Sequence, residues 1–217
     1  RGCKPCPAAC VPTPLPSPFA GELVSDLSQD VLVEDKGAAV VGSVAQNNPP
    51  HVPAGGPYRL ELRVSGSQAL TTVSDLLVGD LWLLAGQSNM EGVGNLENLP
   101  LPSAQVNSLD MTDVWVNAED PLHRLPDSKD RVHWRRNPQG QPEKLDGPAL
   151  DKWIAARRKG AGVGLPFALE MVRRTGVPVG LIPCAHGGTS MDQWDPAKKS
   201  DGGDSLYGGM LRRFVLA

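Results

Sequence analysis

The chain has 217 residues, a formal charge of −3 and a hydrophobic content of 40%. This composition is typical of a globular protein and excludes a disordered chain. The slightly acidic balance argues against nucleic acid or an anionic membrane as the main partner. No apolar run reaches the roughly 18 residues of a membrane-spanning helix. With 24 glycines and 21 prolines, the chain is expected to contain long loops.

Residues 1–17 contain five prolines and predict an extended tail or linker. Cys3, Cys6 and Cys10 lie in this segment, and a Cys-x-x-Cys pair can bind zinc. Zinc needs four ligands, however, and no second pair follows, so we expect neither a metal nor an organic cofactor. A thiol-dependent metal or redox protein is the weaker alternative. No signal peptide is visible at the start of the sequence, which leaves the compartment open.

Residues 18–78 predict a partial antiparallel β domain. Short apolar runs at Val31–Val33 and Ala38–Val41 flank a turn. Tyr58–Val64 alternates apolar and polar residues and therefore predicts a half-buried strand, with Leu70–Val73 as its hairpin partner.

From residue 79 the pattern becomes that of an α/β core. Asp80–Ala85 is nearly all apolar, as expected of a strand buried on both faces of a parallel sheet, and Asp113–Asn117 predicts a second buried strand. The polar stretch that follows predicts a surface loop with a short helix at Leu150–Lys159. Surface positions are expected for His123 and His133 in that stretch.

The last third of the chain predicts a helix, a strand and a second helix. Leu165–Thr175 predicts an amphipathic helix that ends at Gly176, and Val177–Cys184 predicts the next strand. The order strand, helix, strand indicates a parallel sheet. Leu206–Leu216 predicts a final helix. Its N-cap is expected at Asp204 or Ser205, which makes the Gly-Asp-Ser-Leu string at 203–206 a helix start and not a nucleophile motif.

Two glycine-rich turns follow predicted strands. In the first, Gly86 permits a tight turn that presents Ser88, whose hydroxyl can act as a nucleophile and whose amide can be an oxyanion donor. The alternative is that Ser88 only caps a helix. In the second, Gly187 and Gly188 expose backbone N–H groups that can supply another oxyanion donor, or form an ordinary strand-to-helix turn.

Together these two blocks resemble the SGNH-type carbohydrate esterases of the sialate O-acetylesterase group. Residues 86–90 reproduce the Gly-Gln-Ser-Asn-Met nucleophile block of that family. The later Gly-Gly-Thr…Trp block is matched by Gly187, Gly188, Thr189 and Trp194. The resemblance covers roughly residues 30 to 217. It implies a three-layer α/β/α SGNH (flavodoxin-like) hydrolase core over residues 79–217, preceded by the partial β domain of residues 18–78.

The resemblance also implies a serine esterase that removes O-acetyl groups from carbohydrate, either sialic acid or a polysaccharide, through an acyl-enzyme. Ser88 is then the nucleophile, and the amides of Ser88 and Gly188 are the oxyanion donors. Gln87, Asn89 and Trp194 are expected to shape the pocket. The implied partner is an acetylated carbohydrate, and the implied location is secreted or lysosomal-like.

The sequence departs from the family pattern at its C-terminal end. The family takes its catalytic Asp and His from an Asp-x-x-His block, and no histidine follows Trp194 here. We therefore expect a truncated core that is nearly inert and poorly soluble as this chain, with His186 a weak candidate to replace the base. The alternative function is a carbohydrate-binding module that has kept the pocket and lost the base.

Overall fold

The computed structural model describes residues 31–33, 36–37, 53–63 and 70–217. Predictions for the tail at residues 1–17, for Cys3, Cys6 and Cys10, and for the strand at Ala38–Val41 lie outside the described residues. The chain divides into two compact units. One consists of Arg1–Val52 and Tyr58–Leu76, and the other consists of Pro53–Pro57 and Leu77–Ala217.

A four-stranded sheet is formed by β1 (Val31–Val33), β2 (Lys36–Gly37), β3 (Gly55–Arg63) and β4 (Leu70–Val78), in the order β2-β1-β3-β4. Strand β1 is antiparallel to both β2 and β3. Residues 58–63 of the alternating segment lie in β3, which begins three residues earlier, at Gly55, and Val64 lies outside the described residues. The predicted partner strand is found as β4 and is longer than expected.

The remaining elements follow β4 along the chain. The strands are β5 (Asp80–Leu84), β6 (Gly94–Asn95), β7 (Val106–Leu109), β8 (Trp115–Asn117), β9 (Arg135–Arg136), β10 (Pro142–Glu143), β11 (Lys159–Ala161) and β12 (Val179–Pro183). The α-helices are α1 (Ser88–Glu91), α2 (Gly147–Ala156), α3 (Gly164–Thr175) and α4 (Leu206–Leu216). Short 3-10 helices lie at Leu125–Asp127, Arg131–His133, Met191–Trp194 and Pro196–Asp204. No helix among the described residues is both long enough and apolar enough to cross a bilayer.

The central sheet of the second unit has the order β5-β12-β7-β8. Strand β12 runs parallel to β5 and β7, as the strand–helix–strand order predicts, and β8 is antiparallel to β7. Smaller two-stranded pairs join β6 to β11 and β9 to β10. The unit is thus an α/β structure built on a mixed sheet.

Both faces of the central sheet carry apolar clusters. Leu181 and Ile182 are neighbours in β12 and therefore point to opposite faces. Leu181 belongs to a buried cluster that includes Ala168 of α3, whereas Ile182 packs in a second cluster with Met210 of α4. Helices α3 and α4 therefore cover opposite faces of the sheet.

Two strand predictions need correction. Strand β5 was expected to be buried on both faces, but Leu81 is 54% exposed and only Leu84 is buried, because β5 has a neighbour on one side alone among the described strands. The segment at 113–117 was expected to be a buried strand, yet all three residues of β8 are exposed at the other edge of the sheet. The buried strand of this region is β7, whose sequence Val-Asn-Ser-Leu gives no apolar run.

The polar stretch between β8 and α3 is also less exposed than predicted. His123 is fully buried and His133 is 5% exposed, so the prediction of surface positions for both is wrong. Asp130 is buried as well, and its carboxylate accepts two hydrogen bonds from Arg212 of α4. Because buried polar groups need such partners, the carboxylate of Asp130 is compatible with an interior position once Arg212, 82 residues away, supplies them. The short helix predicted at Leu150–Lys159 is found as α2, which begins three residues earlier and ends at Ala156, while Lys159 lies in β11.

Both predicted helix ends are confirmed. At the C-terminal end of α3, Gly176 has φ +70° and its N–H donates to Val172 O at 2.8 Å. At the start of α4, the Ser205 side chain accepts a hydrogen bond from the Gly208 N–H at 3.0 Å. Ser205 is 6% exposed and its Oγ donates to Lys198 O. It is a buried N-cap and not a nucleophile.

Candidate active site

Ser88 lies at the carboxyl end of β5, just after a tight turn. Gly86 has φ +143°, a conformation that residues with a side chain rarely adopt. The turn leads directly into α1, and the Gln87 carbonyl accepts the N–H groups of Met90 and Glu91, both at 2.9 Å. The sequence Gly-Gln-Ser-Asn-Met therefore folds so that the serine is the first residue of a short helix.

The hydroxyl of Ser88 is not used to cap that helix. The N-cap of α1 is Gln87, and no side chain caps the helix. Among the residues that the structure describes, none forms a hydrogen bond with Ser88 Oγ or with the Ser88 N–H. Gln87 and Asn89, on either side, are exposed. The hydroxyl and amide of Ser88 are thus both available to a ligand.

The glycine-rich turn after β12 lies beside Ser88. Strands β5 and β12 pair in parallel register as far as Leu84 and Pro183, so the chain leaves both strands at the same edge of the sheet. The pairing continues into the turns, where the His186 N–H donates to Gly86 O at 3.0 Å. A Cβ placed on Gly187 would lie 3.7 Å from Ser88 Cα. Two segments about 100 residues apart in sequence thus lie side by side and are joined by a backbone hydrogen bond.

The inside of this second turn is fixed by side-chain hydrogen bonds. Thr189 Oγ1 donates to His186 O at 2.7 Å, and Trp194 Nε1 donates to Thr189 Oγ1 at 3.1 Å. Gly188 has φ +73°. Its N–H has no hydrogen-bond partner within the described part of the chain. Thr189 and Trp194 stabilise the turn, which leaves the Gly188 amide free.

Glu91 was not identified from the sequence. It is the last residue of α1, three residues after Ser88, and its Oε2 accepts the Gly187 N–H at 2.5 Å. Only its position directly after the Gly-Gln-Ser-Asn-Met block, at helical spacing from Ser88, was a usable signal. The carboxylate connects the helix that carries Ser88 to the glycine-rich turn.

A cavity of about 300 Å³ lies next to these two turns. Two residues of the site, Glu91 and His186, form part of its wall. The other walls come from the polar stretch and α2, and include His133, Trp134, Trp153 and Arg157. The Arg157 guanidinium lies over the Trp153 ring, 4.8 Å from its centroid. Trp194 does not line this cavity.

His133 and His186 contact each other in the cavity wall. Their Nδ1 atoms are 3.0 Å apart, so one ring donates a hydrogen bond and the other accepts it. Burial, together with the charge of the neighbouring His186, lowers the pKa of His133 to about 3. Burial also lowers the pKa of His186, although the charge of Glu91 acts in the opposite direction. Both rings are neutral at physiological pH.

No histidine in the described residues forms a hydrogen bond with Ser88 Oγ. His186, the weak candidate from the sequence, uses Nδ1 for His133. Burial lowers the pKa of the fully enclosed His123 to about 4, although the backbone carbonyls of Leu84 and Glu91 act in the opposite direction.

Within the described ranges, no group of three or more His, Cys, Asp or Glu side chains is arranged to hold a metal ion. Burial also raises the pKa of the Cys184 thiol to about 11.

Comparisons with known proteins give the following matches. The family model described as "SASA: Carbohydrate esterase, sialic acid-specific acetylesterase" matches residues 78–217. A search of curated proteins found no match. Among solved structures, an Arabidopsis thaliana protein is 24% identical with a TM-score of 0.41, and the match covers 63% of this chain and 50% of that one.

A carbohydrate acetylesterase from Xanthomonas citri is 26% identical with a TM-score of 0.44, over 82% of this chain and 39% of that chain. The chain thus spans half or less of each of these two proteins. The family model matches well over half of the present chain and includes both glycine-rich turns. The chain belongs to the sialic acid-specific acetylesterase family of carbohydrate esterases.

Proposed function

We propose that the protein is a serine esterase that removes O-acetyl groups from carbohydrate, with Ser88 as the nucleophile. The observation that carries this proposal is the position of Ser88 at the sheet edge beside the Gly187–Gly188 turn, with its hydroxyl unpaired. A nucleophile and two free amides at the carboxyl ends of neighbouring parallel strands fit acyl transfer. Family membership supports the same reaction class.

In the proposed reaction a base takes the Ser88 proton, and the oxygen attacks the acetyl carbonyl. The oxyanion of the tetrahedral intermediate accepts hydrogen bonds from the amides of Ser88 and Gly188. The intermediate collapses, the sugar hydroxyl leaves with a proton, and Ser88 carries the acetyl group. Water then adds to this ester and releases acetate, which restores the serine.

The core of the enzyme is proposed to be the three-layer SGNH arrangement, with residues 1–17 as a tail and 18–78 as a partial β domain. The packing of α3 and α4 on opposite faces of the parallel strands supports three layers. Because no described histidine forms a hydrogen bond with Ser88 Oγ, we expect the 217 residues alone to hydrolyse esters slowly. Loss of the histidine costs on the order of 10⁶ in turnover in a comparable serine hydrolase.

The test is hydrolysis of an aryl acetate by the full-length gene product, followed by Ser88→Ala. The variant is expected to lose at least about 10³-fold in kcat, because it lacks the hydroxyl that is proposed to form the acyl-enzyme. Ser103→Ala, in the loop before β7, is the matched control and should retain the wild-type rate. Unchanged turnover in Ser88→Ala would reject the role of this serine.

The second candidate function is a carbohydrate-binding module. It is favoured by one observation, the lack of a base at Ser88 among the described residues. It predicts saturable binding of an acetylated glycan without acetate release by the full-length protein. Acetate release that depends on Ser88 excludes it.

A further inference from the structure

Glu91 makes the one side-chain hydrogen bond between the Ser88 helix and the glycine-rich turn within the described part of the chain. Residues three apart in a helix lie on the same face, so the Glu91 side chain leaves α1 on the same side as that of Ser88. From there its Oε2 accepts the Gly187 N–H across a sequence separation of 96 residues. A hydrogen bond with an ionised acceptor is stronger than one between neutral groups.

Because of this bond, the two backbone N–H groups of the turn differ: one donates a hydrogen bond to Glu91 and the other has no described partner. Gly187 gives its N–H to Glu91, whereas the N–H of Gly188 has no partner in the described residues. Gly187 packs closely against this carboxylate, because a Cβ added there would lie 2.7 Å from Glu91 Oε2 and would displace it. The carboxylate therefore fixes the peptide just before the free amide, at a defined distance from the start of α1.

A role for Glu91 as the base for Ser88 does not fit the contacts. The carboxylate is bound to Gly187 and forms no hydrogen bond with Ser88 Oγ. Its charge also acts on Arg157 and on His186, both in the wall of the adjacent cavity. The contacts of the Glu91 carboxylate are those of a side chain that holds the glycine-rich turn in place.

We propose that Glu91 is a positioning residue, which sets the distance between the Ser88 and Gly188 amides so that both reach the oxyanion. This inference rests on the proposed function. Loss of such a residue should raise the activation barrier more than it weakens substrate binding. The reason is that the oxyanion exists only in the transition state and the intermediate.

The experiment compares Glu91→Ala with Glu91→Gln in the full-length protein, with an aryl acetate as substrate. Glu91→Ala is expected to lower kcat by about 10- to 100-fold with KM changed less than about twofold, since a small misplacement of a catalytic group has this order of effect. Glu91→Gln keeps an oxygen that can accept the Gly187 N–H, so it is expected to retain most of the activity. Glu97→Gln, an exposed carboxylate six residues further on, is the matched control.

A second readout separates positioning from loss of structure. The Ser88 oxygen bonds to the boron of phenylboronic acid as the serine proton leaves. The product is a tetrahedral anion, which is stabilised by the same two amides as the reaction intermediate. Its Ki should rise in Glu91→Ala by about the factor that kcat/KM falls. If Glu91→Ala does not fold, Gly187→Ala replaces it, because the added Cβ displaces the carboxylate. When both variants fold, the double variant should be no slower than the slower single one.

Several results would overturn the inference: wild-type kcat in Glu91→Ala, equal losses in the Ala and Gln variants, or an unchanged Ki for the boronic acid. Failure of the proposed function has a different signature. In that case Ser88→Ala hydrolyses the ester as fast as the wild type, whatever the Glu91 variants do.

Discussion

Gly92 follows Glu91 at the end of α1 and has no room for a side chain. Its φ is +112°, and a Cβ would lie 2.1 Å from Gly160 O, a backbone atom of β11. The close approach brings α1 against the strand pair β6–β11. Because a backbone atom cannot move aside as a flexible side chain can, this position requires glycine.

Gly92→Ala is therefore expected to destabilise the protein by at least about 2 kcal/mol, through overpacking and strain at positive φ. Gly140→Ala is the matched control. Gly140 also has positive φ, +78°, but no atom lies within 4 Å of its Cβ position. Gly140→Ala should therefore lower the free energy of unfolding by only about 1 kcal/mol. Urea unfolding measures both changes, and equal costs would contradict the steric argument.

The sequence predicted part of the site at the residue scale. Ser88 and the Gly187–Gly188 turn were identified because local turn chemistry and the motif resemblance both fall within short segments. The Glu91–Gly187 and His133–His186 bonds span 96 and 53 residues, respectively. No periodic pattern in the sequence predicts a contact between residues so far apart, since the two residues come together only after β12 has paired with β5.

At the scale of elements, Arg213 joins α4 to the ends of two strands. Its side chain is fully buried. Nε donates to Pro183 O at the end of β12, at 3.0 Å, and Nη2 donates to Leu109 O at the end of β7, at 2.6 Å. Nη1 donates to Asp113 Oδ1 at 2.7 Å. One guanidinium thus holds the carboxyl edge of the sheet together, where the candidate site lies.

The buried acid in this arrangement stays ionised. Burial alone would raise the pKa of Asp113, but the hydrogen bond and charge of Arg212, with the charges of Arg213 and Lys129, hold the pKa below its usual value. Ion pairs of this kind are costly to break, because the partner that remains is buried without compensation.

Arg213→Ala is accordingly expected to lower the free energy of unfolding by about 3 kcal/mol or more. Arg174→Ala on α3 provides the contrast. Arg174 pairs with Glu170 at 2.6 Å, yet its side chain is 68% exposed. A surface pair contributes little to stability, because water screens its charges. Thermal unfolding of the two variants gives the comparison, and a similar shift in Tm for both would refute the role of Arg213.

Element prediction from the sequence succeeded where periodicity or capping was strong. Helices α3 and α4 carry an amphipathic pattern and a recognisable cap, and β12 is an apolar run between two turns. Strand β7 was missed because its Asn and Ser residues hide a buried strand. Ser108 in β7 is 2% exposed, so burial there follows from the neighbouring strands and not from its own composition.

At the scale of the whole molecule, buried neutral histidines connect folding to pH. The pKa of His133 is lowered to about 3 and that of His123 to about 4, both mainly by burial. In the unfolded chain each histidine has its ordinary pKa near 6.5. Between these values the unfolded state binds protons that the folded state does not. The stabilisation is therefore complete above about pH 6.5 and is lost as the pH falls toward the folded pKa values.

The free energy of unfolding is therefore expected to fall by up to about 1.4 kcal/mol per pH unit for each histidine below pH 6. Urea titrations at pH 7.5, 6.0, 5.5 and 5.0 measure this slope. Carboxylates with a lowered pKa, such as Asp113, lose their stabilisation only below about pH 4, so they do not contribute in this window. His133→Gln removes one of the three described histidines whose pKa is lowered by burial, the others being His123 and His186, and should make the slope shallower, even if the variant is less stable at every pH. A wild-type free energy that is constant from pH 7.5 to 5.0 would show that these rings become protonated without unfolding the protein, and that the interior around the candidate site is open to water.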